Sequence, residues 1–274
     1  MSDRILDWIT EETERVKTLD NKNDLSFNGI IENGTSYASY TKESLIEIHS
    51  LRGLNLDIPI YRIVSLSDFL GMLRGCLRMS NPLKWDDKWE QFWYKKRGYY
   101  IKELERQFVS CWSTREECDA LWRIHGKESS DCIKVMSTPR KLMEQAHVYY
   151  EKVKKTSADA FLFYIGRVNY DFEDKEIKIF HRNTRDDVFG VYTNFIKRIT
   201  YNYENEVRFV YYDGVKKELK KESFYLDINP RAVIDTVYFS PWSDKNTFEN
   251  IKKIIEDLGF GDLSISRSEL FDSI

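Results

Sequence analysis

From Pro59 onward the chain alternates short apolar runs with turn residues, and the period of each run predicts its element. Pro59-Ile60-Tyr61-Arg62-Ile63-Val64 reads as a strand, and Ser65-Leu66-Ser67-Asp68 then starts a helix that ends at Gly75. A strand over 76–79 is closed by Ser80-Asn81-Pro82. Trp85, Trp89 and Trp93 fall at i, i+4 and i+8, one helical stripe whose simplest reading is a buried aromatic face. Residues 108–112 predict a strand, Thr114 with Glu117 caps a helix stopped by Gly126, and 132–136 predicts another strand. Thr138-Pro139 opens the longest helix, to about Lys155. Strands follow at 161–170 and 176–180, a helix at 186–198, and a strand at 203–212 that ends in Asp213-Gly214. Strands at 224–228 and 234–239, a helix over 244–258 and a strand at 263–267 complete the chain.

Before Pro59 the pattern differs. Ile5, Leu6, Trp8, Ile9, Val16 and Leu19 mark an amphipathic helix over 2–19; 20–40, with Asn28-Gly29 and Asn33-Gly34, reads as loop, and 42–50 as a short helix. Many strands with few βαβ alternations predict an α+β fold, a bent mixed or antiparallel sheet with flanking helices. The expected organisation is a helical extension over 1–58 and a main domain over 59–274.

Composition adds bounds. Of 274 residues, 42% are hydrophobic and 32% charged, enough to bury a core. The 42 basic and 45 acidic residues give a net charge of −3, so no global field favours nucleic acid or membrane. Cys76, Cys111, Cys118 and Cys132 form no CxxC pair, and His49, His125, His147 and His181 add no ligand spacing, so no structural zinc is expected. The charged start, MSDRILDWITEETERV, lacks a signal-peptide core, and no apolar run is long enough to span a membrane. A cytoplasmic protein with reduced thiols is expected.

Glu204 and Glu206 stand one residue apart in a predicted strand, so both project to one face with Arg208 while Tyr203, Val207 and Phe209 project to the other. Adjacent carboxylates repel, and one pKa rises. That suits acid–base or cation-stabilising chemistry, and equally describes the wetted face of an antiparallel sheet. Asp171 followed by Glu176-Ile177-Lys178 is the pattern of a Mg²⁺-dependent nuclease, although Glu-x-Lys arises freely on exposed strands. Cys111, in an apolar strand, reads as a small buried hydrophobe rather than a nucleophile partnered by His125. No P-loop, dinucleotide fingerprint or nucleophile elbow occurs.

In chain order, Arg62 on an early strand, Ser110, Ser113 and Thr114 on a middle one, and Glu204-Asn205-Glu206 on a late one resemble Arg-Ser-Glu ADP-ribosyltransferases. The resemblance implies an ADP-ribosyltransferase-like core using NAD. Arg62 would hold diphosphate or ribose, Ser113 or Thr114 would orient nicotinamide or the glutamate, and Trp112 or Trp122 would stack on a ring. Glu206 would stabilise the oxocarbenium ion and Glu204 would position or deprotonate the acceptor. The acceptor would be a protein or a nucleic acid, with NAD hydrolysis as the variant.

A wider set also runs in order: Ile60-Tyr61-Arg62, Ser80-Asn81-Pro82, Asp86-Asp87-Lys88-Trp89-Glu90, Val109–Ser113, Trp122-Arg123-Ile124-His125, Glu204–Arg208 and Val237–Pro241. It resembles an uncharacterised bacterial and phage domain family over residues 58–270. Here the family's Asn-Asp-Pro-x-Glu and Trp-x-x-Tyr have lost Pro and Tyr. That resemblance implies one pocket for Arg62, Asp87, Glu90, Trp122, Glu206 and Arg208; His125 is a further pocket candidate, and phage defence or toxicity is the setting expected for the NAD chemistry. A non-catalytic domain binding a peptide or small ligand is the remaining alternative.

Overall fold

The computed structural model describes residues 36–41, 44–51, 54–85, 87, 90, 104–153, 161–170, 191, 193–213 and 222–271. The predicted helix at 2–19, the strand at 176–180, Trp89 and Trp93 lie outside them, as do Asp171, Glu176 and Lys178.

Among the described residues, eleven strands form one bent, mixed sheet. They are β1 (Ser36–Thr41), β2 (Ser44–Leu51), β3 (Ile60–Val64), β4 (Cys76–Ser80), β5 (Gln107–Ser113), β6 (Ile133–Ser137), β7 (Phe161–Arg167), β8 (Glu206–Asp213), β9 (Ser223–Asp227), β10 (Thr236–Phe239) and β11 (Ser264–Arg267). The main order is β1-β2-β7-β8-β5-β3-β6-β10-β11, antiparallel except at β2–β7 and β10–β11. The strand β4 leaves this path, pairing with β5 on one side and β9 on the other. Helices α1 (Leu66–Leu73), α2 (Pro139–Val153) and α3 (Lys245–Ile255) flank the sheet.

Local chemistry explains the main boundaries. Ser65 Oγ accepts the Asp68 amide at 3.1 Å to start α1, and Asp244 accepts the Thr247 amide at 2.7 Å to start α3. Beyond α1, Gly75 takes φ +88°, a left-handed turn that feeds directly into β4. The core joins Ile60, Phe69, Leu77, Val135, Val207, Phe209 and Phe239 with α2 and α3 residues such as Leu142 and Ile255. An aromatic row runs through it, with Phe163 4.9 Å from Tyr211 and Tyr211 4.2 Å from Phe224.

Several expectations are corrected. Residues 44–51 form β2 instead of a helix, since Ile46-x-Ile48 is β-branched at period two and β7 supplies a partner. Residues 36–40 of the expected loop, with Thr41, form β1 against it. Thr114 does not cap a helix: its N–H and Oγ1 both donate to the Asn205 carbonyl, at 3.0 and 3.4 Å. The helical turn begins instead at Asp119 after Cys118, without a side-chain cap, and widens into a π-turn over Trp122–Gly126. Trp85 is extended (φ −69°, ψ 144°), so it does not belong to a helical stripe. Within the expected 186–198 helix, Thr193–Phe195 is a 3-10 turn and Ile196 bridges to Asn169.

The late strand also starts later than expected. Ile199–Glu204 is a 3-10 helix, Asn205 turns left-handed at φ +45°, and β8 begins at Glu206. Asn tolerates that conformation better than most residues.

Candidate active site

The sheet forks at β5. Near its end Ser113 pairs with Tyr61 of β3, whereas at Val109 it pairs with Ser80 of β4. The opening between β3 and β4 is the floor of a cleft of about 570 Å³. Arg62 reaches into the fork and bridges both branches: Nη1 donates to Ser110 Oγ of β5 at 2.8 Å and to the Arg78 carbonyl of β4 at 3.1 Å. Ser110 Oγ also accepts from Trp112 Nε1 at 2.8 Å, so one buried hydroxyl fixes both side chains. No carboxylate among the described residues pairs with Arg62, and burial pulls its pKa down.

The same cleft holds a buried ion cluster. Register brings Ser113 opposite Glu206 and Cys111 opposite Arg208, on one face of the sheet. Arg208, 1% exposed, donates from Nη2 to Glu206 Oε2 at 2.9 Å and lies 2.8 Å from Glu90 Oε2, with Nη1 on the Asn194 carbonyl at 2.5 Å. Its guanidinium stacks 4.5 Å from the Trp85 ring, and Trp85 is held through Nε1 to Ser80 Oγ at 3.3 Å. Lys197 Nζ stands 2.6 Å from Glu204 Oε2, 3.4 Å from Glu206 Oε2 and 3.6 Å from Glu90 Oε1. Among the described residues, three carboxylates thus face two cations, one negative charge in excess.

Their titration is uneven. Burial pushes Glu206 up, but Arg208 and Lys197 outweigh it and hold the carboxyl at about 2. Glu204 moves the other way, raised by burial and then by Glu206; Glu90 is raised chiefly by burial, against Arg208. The adjacent-carboxylate expectation therefore holds with a definite assignment, Glu206 charged and Glu204 shifted up. The wetted-face alternative does not describe these residues, because Glu204 and Glu206 are each 6% exposed.

The remaining candidates divide. Arg62, Ser113, Glu204, Glu206, Arg208, Asp87, Glu90, Trp122 and His125 all line the cleft. Ser113 is committed to the backbone: Oγ donates to the Glu204 carbonyl at 2.6 Å and accepts the Arg115 amide at 3.0 Å, locking β5 to the turn before β8. Ser110, not Ser113, contacts Arg62. Thr114 is outside the cleft lining and serves the same lock. Trp122 is fully buried, its Nε1 donating to Glu117, so it shapes the wall and has no open face for stacking. Trp112, 2% exposed, is likewise core. Asp87 pairs with Arg198 at 3.0 Å. His125 sits at the cleft wall, where crowding by protein lowers its pKa. Cys111 lines the cleft rather than the core, and burial, then Glu206, pushes its thiol well up.

Lys197 and Tyr170 were invisible in the sequence. Phe195-Ile196-Lys197-Arg198 reads as ordinary helix face, and only carboxylates from positions 90, 204 and 206 identify Lys197. Tyr170 Oη accepts the Glu206 amide at 2.8 Å, steadying the start of β8. Among the described residues, no group of three His, Cys, Asp or Glu side chains is arranged to hold a metal ion.

No protein-family profile matches the chain, and no curated protein sequence does. Among solved structures, Thermus sp. 2.9 DarT in complex with ADP-ribosylated ssDNA is 10% identical, covering 80% of this chain and 97% of that one, with a TM-score of 0.37. The same protein in complex with NAD+ is 12% identical over 77% of this chain and 96% of that one, with a TM-score of 0.33. A likeness at that level assigns no family.

Proposed function

We propose that the protein breaks the nicotinamide–ribose bond of NAD⁺ and transfers ADP-ribose to an acceptor, or to water. One observation carries the reading: a single cleft contains an arginine with no carboxylate partner among the described residues and a desolvated cluster with one carboxylate in excess. A partly buried guanidinium with no ion-pair partner among the described residues calls for an anion, and its planar fork suits a diphosphate. An excess buried carboxylate calls for a cation. NAD⁺ carries both charges, the diphosphate and the nicotinamide ring, in one molecule.

The chemistry follows from the charges. As the C–N glycosidic bond breaks, its electron pair leaves with nicotinamide, and positive charge develops on the ribose. Glu206, ionised across the physiological range, stabilises that charge without reorganising. The acceptor oxygen or nitrogen then attacks the ribose carbon, and its proton passes to a base. Glu204 is suited to that role because its pKa is raised. Ser110 and Trp112 act through Arg62, keeping its guanidinium at the fork.

Thermal denaturation with NAD⁺, ADP-ribose and Mg²⁺ added separately tests the reading. NAD⁺ and ADP-ribose should each raise the midpoint through preferential binding to the folded state, and Arg62→Ala should weaken both by tenfold or more. A shift with Mg²⁺ alone would favour the nuclease alternative. A shift with neither dinucleotide nor metal would leave a domain that binds some other ligand.

A further inference from the structure

Lys197 is the least expected member of the site. It belongs to no strand or helix, yet it is almost buried and its backbone is fixed: Lys197 N donates to the Asn169 carbonyl at 3.0 Å, and Asn169 N to the Phe195 carbonyl at 2.7 Å. Its ammonium meets carboxylates from three separate places, namely Glu90, Glu204 at the end of the 3-10 helix, and Glu206 at the start of β8. We infer that Lys197 is a positioning residue that gathers these three carboxylates around one ammonium and separates the roles of Glu204 and Glu206. The inference needs the ADP-ribosyl reading only for its activity arm.

With Lys197 present, three carboxylates share two cations. Without it, Arg208 is the one cation they share among the described residues, two negative charges in excess inside a cleft wall, and such a cluster relieves itself by taking up a proton. Arg208 contacts Glu90 and Glu206 but has no contact with Glu204. Lys197 is therefore what brings Glu204 into the set, at 2.6 Å. The aromatic face of Tyr201, 4.7 Å from Nζ, closes one side of the ammonium. Tyr170 and Cys111 adjoin Glu206, and His125 faces the cluster from the cleft wall. Burial favours the uncharged thiol and phenol, and His125 forms no ion pair with these three carboxylates, so none of these groups replaces the ammonium.

The test is a carboxyl-carbon NMR titration of Glu206, assigned by loss of its signal in Glu206→Gln. In Lys197→Met the Glu206 titration should move up by one pH unit or more, while Lys197→Arg should leave it within a few tenths. Unchanged titration in Lys197→Met overturns the inference whether or not the protein consumes NAD⁺. Should Lys197→Met fail to fold, Lys197→Met with Glu204→Gln removes one charge of each sign and restores the count. Glu206 should then titrate within about half a unit of the wild type, and a shift of a unit or more contradicts the charge argument. In the activity arm, the acid limb of kcat/KM for NAD⁺ consumption should follow the NMR shift. A wild type that titrates as described but consumes no NAD⁺ defeats the proposed function and leaves the role of Lys197 standing.

Discussion

Glu206 illustrates how one carboxyl can be buried and still ionised. Desolvation alone would neutralise it, but Arg208 at 2.9 Å and Lys197 at 3.4 Å reverse the sign, from the usual 4.5 to about 2. A depressed carboxyl contributes stability that is complete above about 4.5 and is lost as pH falls toward 2. Glu90 and Glu204, raised, do the opposite: their ionisation costs stability near neutrality, and that cost is relieved as they protonate. The melting midpoint should therefore hold or rise slightly as pH drops into the carboxylate range, then fall below about 4.5. Glu206→Gln should make that fall visibly shallower; an identical acid limb in wild type and variant would contradict the assignment. At this scale the sequence was most legible where strand alternation governs. Glu206 and Arg208 share a face for that reason. The partner of Ser113 was not legible, because its hydroxyl serves the Glu204 carbonyl 91 residues away, which no local pattern reveals.

Among the elements, the fork matters most. The strand β5 meets β3 through Ser113 and β4 through Val109, and Arg62 spans the gap that this leaves. The turn from α1 into β4 aims one branch, and it depends on Gly75. Its φ of +88° is unfavourable for any L side chain, and a Cβ there would lie 3.1 Å from the Ile228 carbonyl, which itself accepts no slack because Ile228 N donates to Gly75 O at 2.8 Å. Gly75→Ala should cost about 1–3 kcal/mol in chemical denaturation. A neutral substitution would mean that this turn is not under the constraint described. The α1–β4 unit was legible because capping and glycine signals are local. The switch from the 3-10 helix to β8 at Asn205 was not, since Glu204-Asn205-Glu206 fits one continuous strand equally well until the left-handed turn is known.

At the scale of the whole molecule, the α+β class and the mixed sheet follow from the spacing of its strands, while the fork does not. It depends on long-range pairing of β4 with both β5 and β9. The strands β1 and β2 extend the same sheet beyond β7, so residues assigned to an N-terminal extension contribute to its edge. No helix among the described residues is long and apolar enough to cross a membrane. Charge is nearly balanced overall, at −3, and the selectivity proposed for the cleft comes from where charges are left unpaired among the described residues.

The most direct test of the central claim is release of nicotinamide from NAD⁺, followed by chromatography for wild type and Glu206→Gln under identical conditions. The wild type should release nicotinamide, and the variant should lose about 10²–10³-fold of that rate at an unchanged fold, as judged by circular dichroism. Equal release by both proteins, or none by the wild type at saturating NAD⁺, would contradict that claim.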